Sequence, residues 1–438
     1  MTDGAWGRLL RAAWLVPVPV LLLYGVWIFA FYGPGHDPRD AALLGRHFVT
    51  QSHVSSVITL DPGYSYPAGE SGYDGEFVYF IALDPLNARY YVDAPSYRYT
   101  RIVYPLLARA LALGQPSLIP WTLLLINWFA IGGGTLAAAL WLKRRGQPPW
   151  FALAYGFYPG LLVALQRDTT EALAYGLVAL AILLYEKSPS PLVREGAEPA
   201  SPLAGEGRDG GSLLLSALVF ALAALTRETT VVFPVLIGLG LLMGRVGKSP
   251  STIAGEGRAG GLLLIAAAVV PLLIYKGFLL VWLGTRGDPG LLLERVPFLG
   301  LIAARGSAYW LQEFSLILIP ALICSLAAIV ALRRRVRLVE AWVVLANVVL
   351  FVVLLSRTSY IDIYSSSRVA TGVVLAAVFA LPAITALIGT RLWFWASGAI
   401  WVSPLPFWVL IPELRWMVHL TGLFRHVACR LLRQSGSL

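Results

Sequence analysis

Apolar runs of about 20 residues, recurring along the chain and separated by charge, constrain this sequence more than any other feature. The first, "AAWLVPVPVLLLYGVWIFAFYG" (12–33), follows Arg8 and Arg11. Others begin near Ser117, Pro149, Thr170, Ser212, Thr229, Gly261, Ser307, Leu338 and Arg368. One more, near Leu392, is broken by "SPLP" and reads as re-entrant. A run of this length crosses a bilayer as a helix, which satisfies its own backbone polar groups where no water can. With 58% of residues hydrophobic, 13% charged and a mean hydropathy of +0.71, a water-soluble fold of 438 residues could not hide so much apolar surface. The expected fold is all-α, a polytopic transmembrane helical bundle of about 10–12 spans.

Topology follows from where the cations fall. The first run is too long for a secretory leader and has no small-residue cleavage site after it, so it reads as an uncleaved first span with a cytoplasmic N-terminus. "IVYPLLARALALG" (102–114) is too short to cross and reads as a half-embedded or juxtamembrane helix. On that basis "KRR" (143–145), Lys187 with Arg194 and Arg208, Arg245 with Lys248 and Arg258, "RRRVR" (333–337) and Arg391 all fall on the cytoplasmic side. The net charge of +10 is therefore a topology signal, and nucleic-acid binding is excluded. Two cysteines, Cys324 and Cys429, exclude a disulfide framework. "SPLAGEGRDGG" (201–211) returns as "STIAGEGRAGG" (251–261), so the cytoplasmic loops 187–211 and 245–261 read as a duplicated insertion without a packed unit. The expected organisation is a first transmembrane helix (1–32), an extracytoplasmic loop with the juxtamembrane helix (33–116), a bundle (117–411) and an amphipathic tail on the membrane surface (412–438).

The segment from Gly33 to Arg101 carries eight acidic and five basic residues and faces outward on this topology. Within it "SGYDGEFVYFIALDP" (71–85) sets Asp74, Glu76 and Asp84 among aromatics. The other outward turns, "QRDTTEA" (166–172), "LTRETT" (225–230) and "SRTSYIDIYSSSR" (356–368), mix acids with arginines. Ionisable groups at membrane depth face a cavity or a partner. Guanidiniums there suit a phosphate, and carboxylates suit a general base or a partner for the arginines. Arg167 with Asp168, and Arg227 with Glu228, also read as structural ion pairs. "DG" is ordinary turn chemistry, and Asp84 before Pro85 reads as a cap. His36, His47 and His53 fit no metal-ligand spacing. Lys276 lies inside an apolar run, where it binds an anion or snorkels.

These segments resemble a family. "GYDGEFVYFIA" resembles the signature that follows the first span of the GPI mannosyltransferase PIG-V group and related bacterial proteins. "YRYTRIVYPLLARAL", "YPGLLVALQRDTTEALAYGL" and "ALAALTRETTVVF" are similar to its later elements, in the same order, over roughly residues 10–240. The resemblance implies a GT-C fold and an inverting transfer of a sugar from a polyprenyl phosphate to a glycan, lipid or protein hydroxyl. It further implies a bacterial inner (plasma) membrane and a site on the outward face. Carried over, Asp74 is the base, with Glu76 and Asp37 as further catalytic acids. Arg227 matches the family's junction arginine, and the residue reading adds Arg101, Lys276 and Arg368 as ligands of the donor phosphate. Tyr73, Tyr104, Arg167, Asp168, Glu171 and Glu228 bind substrate. Tyr73 stands where the signature has Trp and Thr229 near its usual Gly, which leaves sugar and acceptor open. No cofactor is expected, with a divalent cation left open. The rival readings are a transporter or lipid-linked-glycan flippase without covalent chemistry, and a non-catalytic scaffold.

Overall fold

The computed structural model describes residues 12–33, 36–50, 66, 69–185, 206–243, 253–284, 293–306, 310–334 and 338–388. Among these there is no strand, only an isolated bridge between Leu293 and Leu355, and the chain is all-α. Five helices are long and apolar enough to cross a membrane: Ala13–Tyr32, Pro116–Arg144, Arg258–Leu283, Phe314–Arg334 and Ile363–Thr385. Four shorter apolar helices, Glu171–Tyr185, Gly211–Thr226, Glu228–Leu242 and Val339–Val353, accompany them. The expected all-α bundle is present, with five helices among the described residues long and apolar enough to span a bilayer. The re-entrant segment near Leu392 and the tail 412–438 lie outside the described residues, as do Arg8, Arg11 and His53.

The helices used below are α1 (Pro17–Tyr32), α2 (Asp74–Leu83), α3 (Val103–Leu111), α4 (Ile119–Arg144), α5 (Pro159–Gln166), α6 (Glu171–Tyr185), α7 (Glu206–Thr226), α8 (Val232–Leu242), α9 (Ile253–Leu283), α10 (Ile319–Arg334), α11 (Val339–Val348), α12 (Ile363–Val369) and α13 (Thr371–Ile388). α6 packs between α4 and α7; α9 covers α7 and α8; α13 packs on α10 and α11. One buried core runs through these layers, with Tyr155, Tyr175 and Phe233 among its largest side chains.

Two expectations are corrected. The run beginning at Pro149 is not a single span. It forms short turns over Pro149–Gly156, is extended at Tyr158 (ψ 125°), and resumes as α5. Pro159 disfavours helical geometry at the residue before it. A Cβ at Gly160 would lie 2.3 Å from the Ser367 carbonyl oxygen, so α5 begins pressed against α12. The duplicated "AGEGR-GG" segments are not structureless insertions either: α7 begins at Glu206 and α9 at Ile253, inside the two copies. In the second copy, a Cβ at Gly261 would lie 2.6 Å from the Gly238 carbonyl oxygen. Its glycine is a helix-crossing contact between α9 and α8, where small residues let backbones approach.

The charged residues sort by end of the bundle. Lys143 and Arg144 close α4, and Arg144 donates to the Leu183 carbonyl at the end of α6 (3.0 Å). Arg333 and Arg334 close α10. At the other end α6, α8 and α12 begin, α7 finishes, and the 69–101 segment folds across them. As the sequence predicts, 102–114 holds only the short helix α3; Leu107, Leu111 and Leu113 are exposed beside it.

Candidate functional site

Asp74 is the first residue of α2, after an extended Tyr73 (φ −142°, ψ 173°). The Asp-Gly pair is a packing requirement: a Cβ at Gly75 would lie 2.0 Å from the Arg167 carbonyl oxygen. α2 is thereby seated on the turn between α5 and α6, which holds Asp74 over the interior. Each of its carboxylate oxygens meets a guanidinium. Arg98 Nη1 donates to Oδ1 (2.7 Å) and Arg368 Nη2 donates to Oδ2 (2.9 Å). Burial alone would push this carboxyl up, but Arg98 and Arg368 outweigh it and hold the group well below the usual carboxylate range.

The pairing continues inward. Arg368 Nη1 lies 3.1 Å from Glu171 Oε1, and Arg227 Nη1 lies 2.8 Å from the same oxygen. Outward, Arg98 also pairs with Asp93 (2.8 Å) and stacks over Phe77. A second pair joins Arg101 to Glu228 (3.0 Å), and Arg101 also donates to the Tyr97 hydroxyl (2.6 Å). Helix ends make this possible. Glu171 opens α6, where the helix dipole favours an anion, and Arg368 sits in the last turn of α12, where it favours a cation. Arg227 lies in the extended break (φ −158°, ψ 118°) between α7 and the Glu228–Val231 turn. Glu171, Arg227 and Arg368 are buried, and buried charges persist only when paired.

The network walls a cavity of about 280 Å³. Asp74, Arg101, Arg227, Glu228, Lys276 and Arg368 form its polar side. Leu279, Leu280, Leu293, Phe351 and Leu355 form an apolar one. Beside it a void of about 20 Å³, room for one water, lies between Asp74, Arg98, Arg101, Arg368, Thr169 and Thr170. Lys276 and Leu280 are both exposed on α9, so the cavity opens along the exposed face of this apolar helix. Arg98, Arg101, Arg227 and Arg368 are matched by Asp93, Asp74, Glu171 and Glu228, while Lys276 has no carboxylate partner among the described residues. The site is one positive charge in excess, which suits an anionic ligand.

The remaining predicted residues take other places. Glu76 points away from Asp74, is fully buried, and accepts from the Gly45 amide (2.9 Å); burial pushes its carboxyl up to about 8. Asp37 caps the Pro38–Ala41 turn and pairs with Arg39, away from the cavity. Tyr104 is a core residue, donating to Leu123 O (2.9 Å) and accepting from Asn127. Tyr73 flanks the network, donating to Asp362 (2.8 Å) and accepting from Arg368 (3.1 Å). Arg167 lies over the rings of Tyr73 and Tyr364. Asp168 adopts a left-handed backbone (φ 45°) and is fully buried without a hydrogen-bond partner among the described residues; burial raises its pKa well above the usual carboxylate range. Asp84 caps the turn after α2, accepting from Asn87. No three His, Cys, Asp or Glu side chains are grouped for a metal among the described residues. The sequence reading left Arg98 without a role. It stands three residues before Arg101 in "YRYTR", one helical turn away, and that spacing was the available signal. Compared with known protein families, characterised proteins and solved structures, the chain matches none.

Proposed function

We propose that this chain is a GT-C-type glycosyltransferase that moves one sugar from a polyprenyl phosphate to an acceptor hydroxyl at the extracytoplasmic face. One observation carries the reading: acids and guanidiniums from four separate segments, with Lys276 from a fifth, line one cavity together with apolar side chains. A phosphate linked to a prenyl chain needs both surfaces side by side. In the proposed step the acceptor oxygen attacks the anomeric carbon from the face opposite the phosphate. The bond from that carbon to the phosphate oxygen breaks, its electron pair stays on the phosphate, and the acceptor proton passes to Asp74. The departing phosphate gains a negative charge, which Arg101, Arg227, Arg368 and Lys276 stabilise in a site shielded from water. Guanidiniums stay ionised throughout and bind phosphate oxygens in pairs.

The test is purified protein in nanodiscs with a panel of labelled polyprenyl-phosphate sugars and mixed glycan and lipid acceptors. Transfer by the wild-type protein, reduced about 10²–10⁴-fold in Asp74→Asn, is the expected result for a lost general base. Undiminished transfer by the variant removes Asp74 from that role. Translocation of a lipid-linked sugar with no product from any donor favours the transporter reading instead.

A further inference from the structure

The geometry points to Arg98 and Arg368 as a phosphate fork that Asp74 occupies in the ligand-free protein, so that donor binding displaces the carboxylate and sets the base free. This rests on the transferase reading above and adds a substrate contact, Arg98, and an order of events. A base must have an oxygen available to accept a proton. Both oxygens of Asp74 are taken, one by Arg98 (2.7 Å) and one by Arg368 (2.9 Å). A carboxylate bridging two guanidiniums through two oxygens occupies the position that two oxygens of a phosphate would take.

The fork does not depend on Asp74 to hold its shape. Arg98 keeps two bonds to Asp93 (both 2.8 Å) and its stacking on Phe77. Arg368 keeps Glu171 (3.1 Å) and the Tyr364 carbonyl (3.0 Å). Asp74 is the member without a further anchor: among the described residues its side chain bonds only to these two arginines. It is also the accessible one, with its side chain 32% exposed against 13% for Arg98 and 4% for Arg368. Asp74, Arg101 and Arg368 line both the large cavity and the water-sized void, and Arg98 lines the void, so the void lies beside the displaced carboxylate. Asp74 stays beside the fork after it is displaced, so the phosphodiester adds one negative charge, which Lys276 on the cavity lining offsets.

The experiment titrates decaprenyl monophosphate, without sugar, into wild-type and Asp74→Asn protein in detergent, with intrinsic tryptophan fluorescence as the readout. Removing an internal competitor raises apparent affinity by the inverse of the open fraction, so the variant binds on the order of tenfold more tightly even though it loses transfer. Arg98→Gln binds more weakly. Equal or weaker binding by Asp74→Asn overturns the exchange and leaves the transferase reading standing. Tighter binding by the variant, with no transfer by wild type from any donor, keeps the fork and removes the transferase. Inorganic phosphate binding as tightly as the lipid overturns the lipid-linked source, and no binding of either ligand overturns both proposals. Should Asp74→Asn fail to fold, a structure of wild type with decaprenyl monophosphate decides: at least one guanidinium lies on the phosphate and off Asp74, and two still on Asp74 overturn the exchange.

Discussion

Glu171 holds the buried half of the ion network, because one of its oxygens faces Arg227 at 2.8 Å and Arg368 at 3.1 Å where no water reaches. Glu171→Gln leaves the buried Arg227 without its carboxylate and Arg368 with Asp74 alone, a loss of about 3–5 kcal/mol. Thermal unfolding in detergent should drop clearly for this variant and much less for Asp74→Asn, whose site is partly solvated; an unchanged transition for Glu171→Gln would mean the pair does not hold the fold. Glu76 makes a prediction of the opposite kind. Its folded pKa is raised from an ordinary 4.5 to about 8, so the folded state binds more protons than the unfolded chain between those values. Stability therefore falls as pH rises through that window. Glu76→Gln should flatten the profile, read as melting temperature against pH, and a profile unchanged by the substitution would show that Glu76 ionises normally. At this scale much of the site was legible: an acid or arginine in an apolar chain has few reasons to exist. Asp74, Arg101, Arg227, Lys276 and Arg368 do reach one cavity. Their partners were not legible, since Asp74 and Arg368 meet across 294 positions and only tertiary packing says which acid takes which arginine.

Helix ends, more than helix interiors, build this site. α6 begins at Glu171, α7 stops one residue before Arg227, and α12 ends just past Arg368, each placing one charge at the mouth of the bundle. The seat of α2 is the most sensitive of these junctions. Gly75→Ala would put a methyl 2.0 Å from the Arg167 carbonyl, forcing the first turn of α2 to lift. The expected cost is about 1–3 kcal/mol of stability, with a loss of transfer larger than that stability change explains, because Asp74 moves with the turn. Wild-type kcat/KM in Gly75→Ala would remove the requirement for this seat. The apolar runs were readable because a bilayer fixes their length and polarity. The breaks were less so: the segment 149–166 has the composition of a span, Pro159 marks where it can bend, and the contact of Gly160 with Ser367 shows what the bend packs against. The glycine repeats misled for a related reason, since a glycine that admits a neighbouring helix has the same letter as one in a loop.

Across the whole molecule, charge is sorted along the bundle axis: paired acids and arginines gather at one end, and Lys143, Arg144, Arg333 and Arg334 close α4 and α10 at the other. Positive residues stay on the cytoplasmic side during insertion, and the proposed orientation, with the cavity outward, follows that rule. The donor class depends on that orientation, because lipid-linked sugars serve the outer face and nucleotide sugars are confined to the cytoplasm. Single cysteines test it. Cys324 is buried and stays silent, and Cys429 is replaced by serine. Leu86→Cys, at a position 69% exposed after α2, should react with a membrane-impermeant maleimide in intact bacterial cells. Lys143→Cys, at the exposed end of α4, should react only after the membrane is opened. The reverse pattern would put the arginine-lined cavity in the cytoplasm, where a nucleotide sugar rather than a polyprenyl phosphate would be the anion that Arg98 and Arg368 receive.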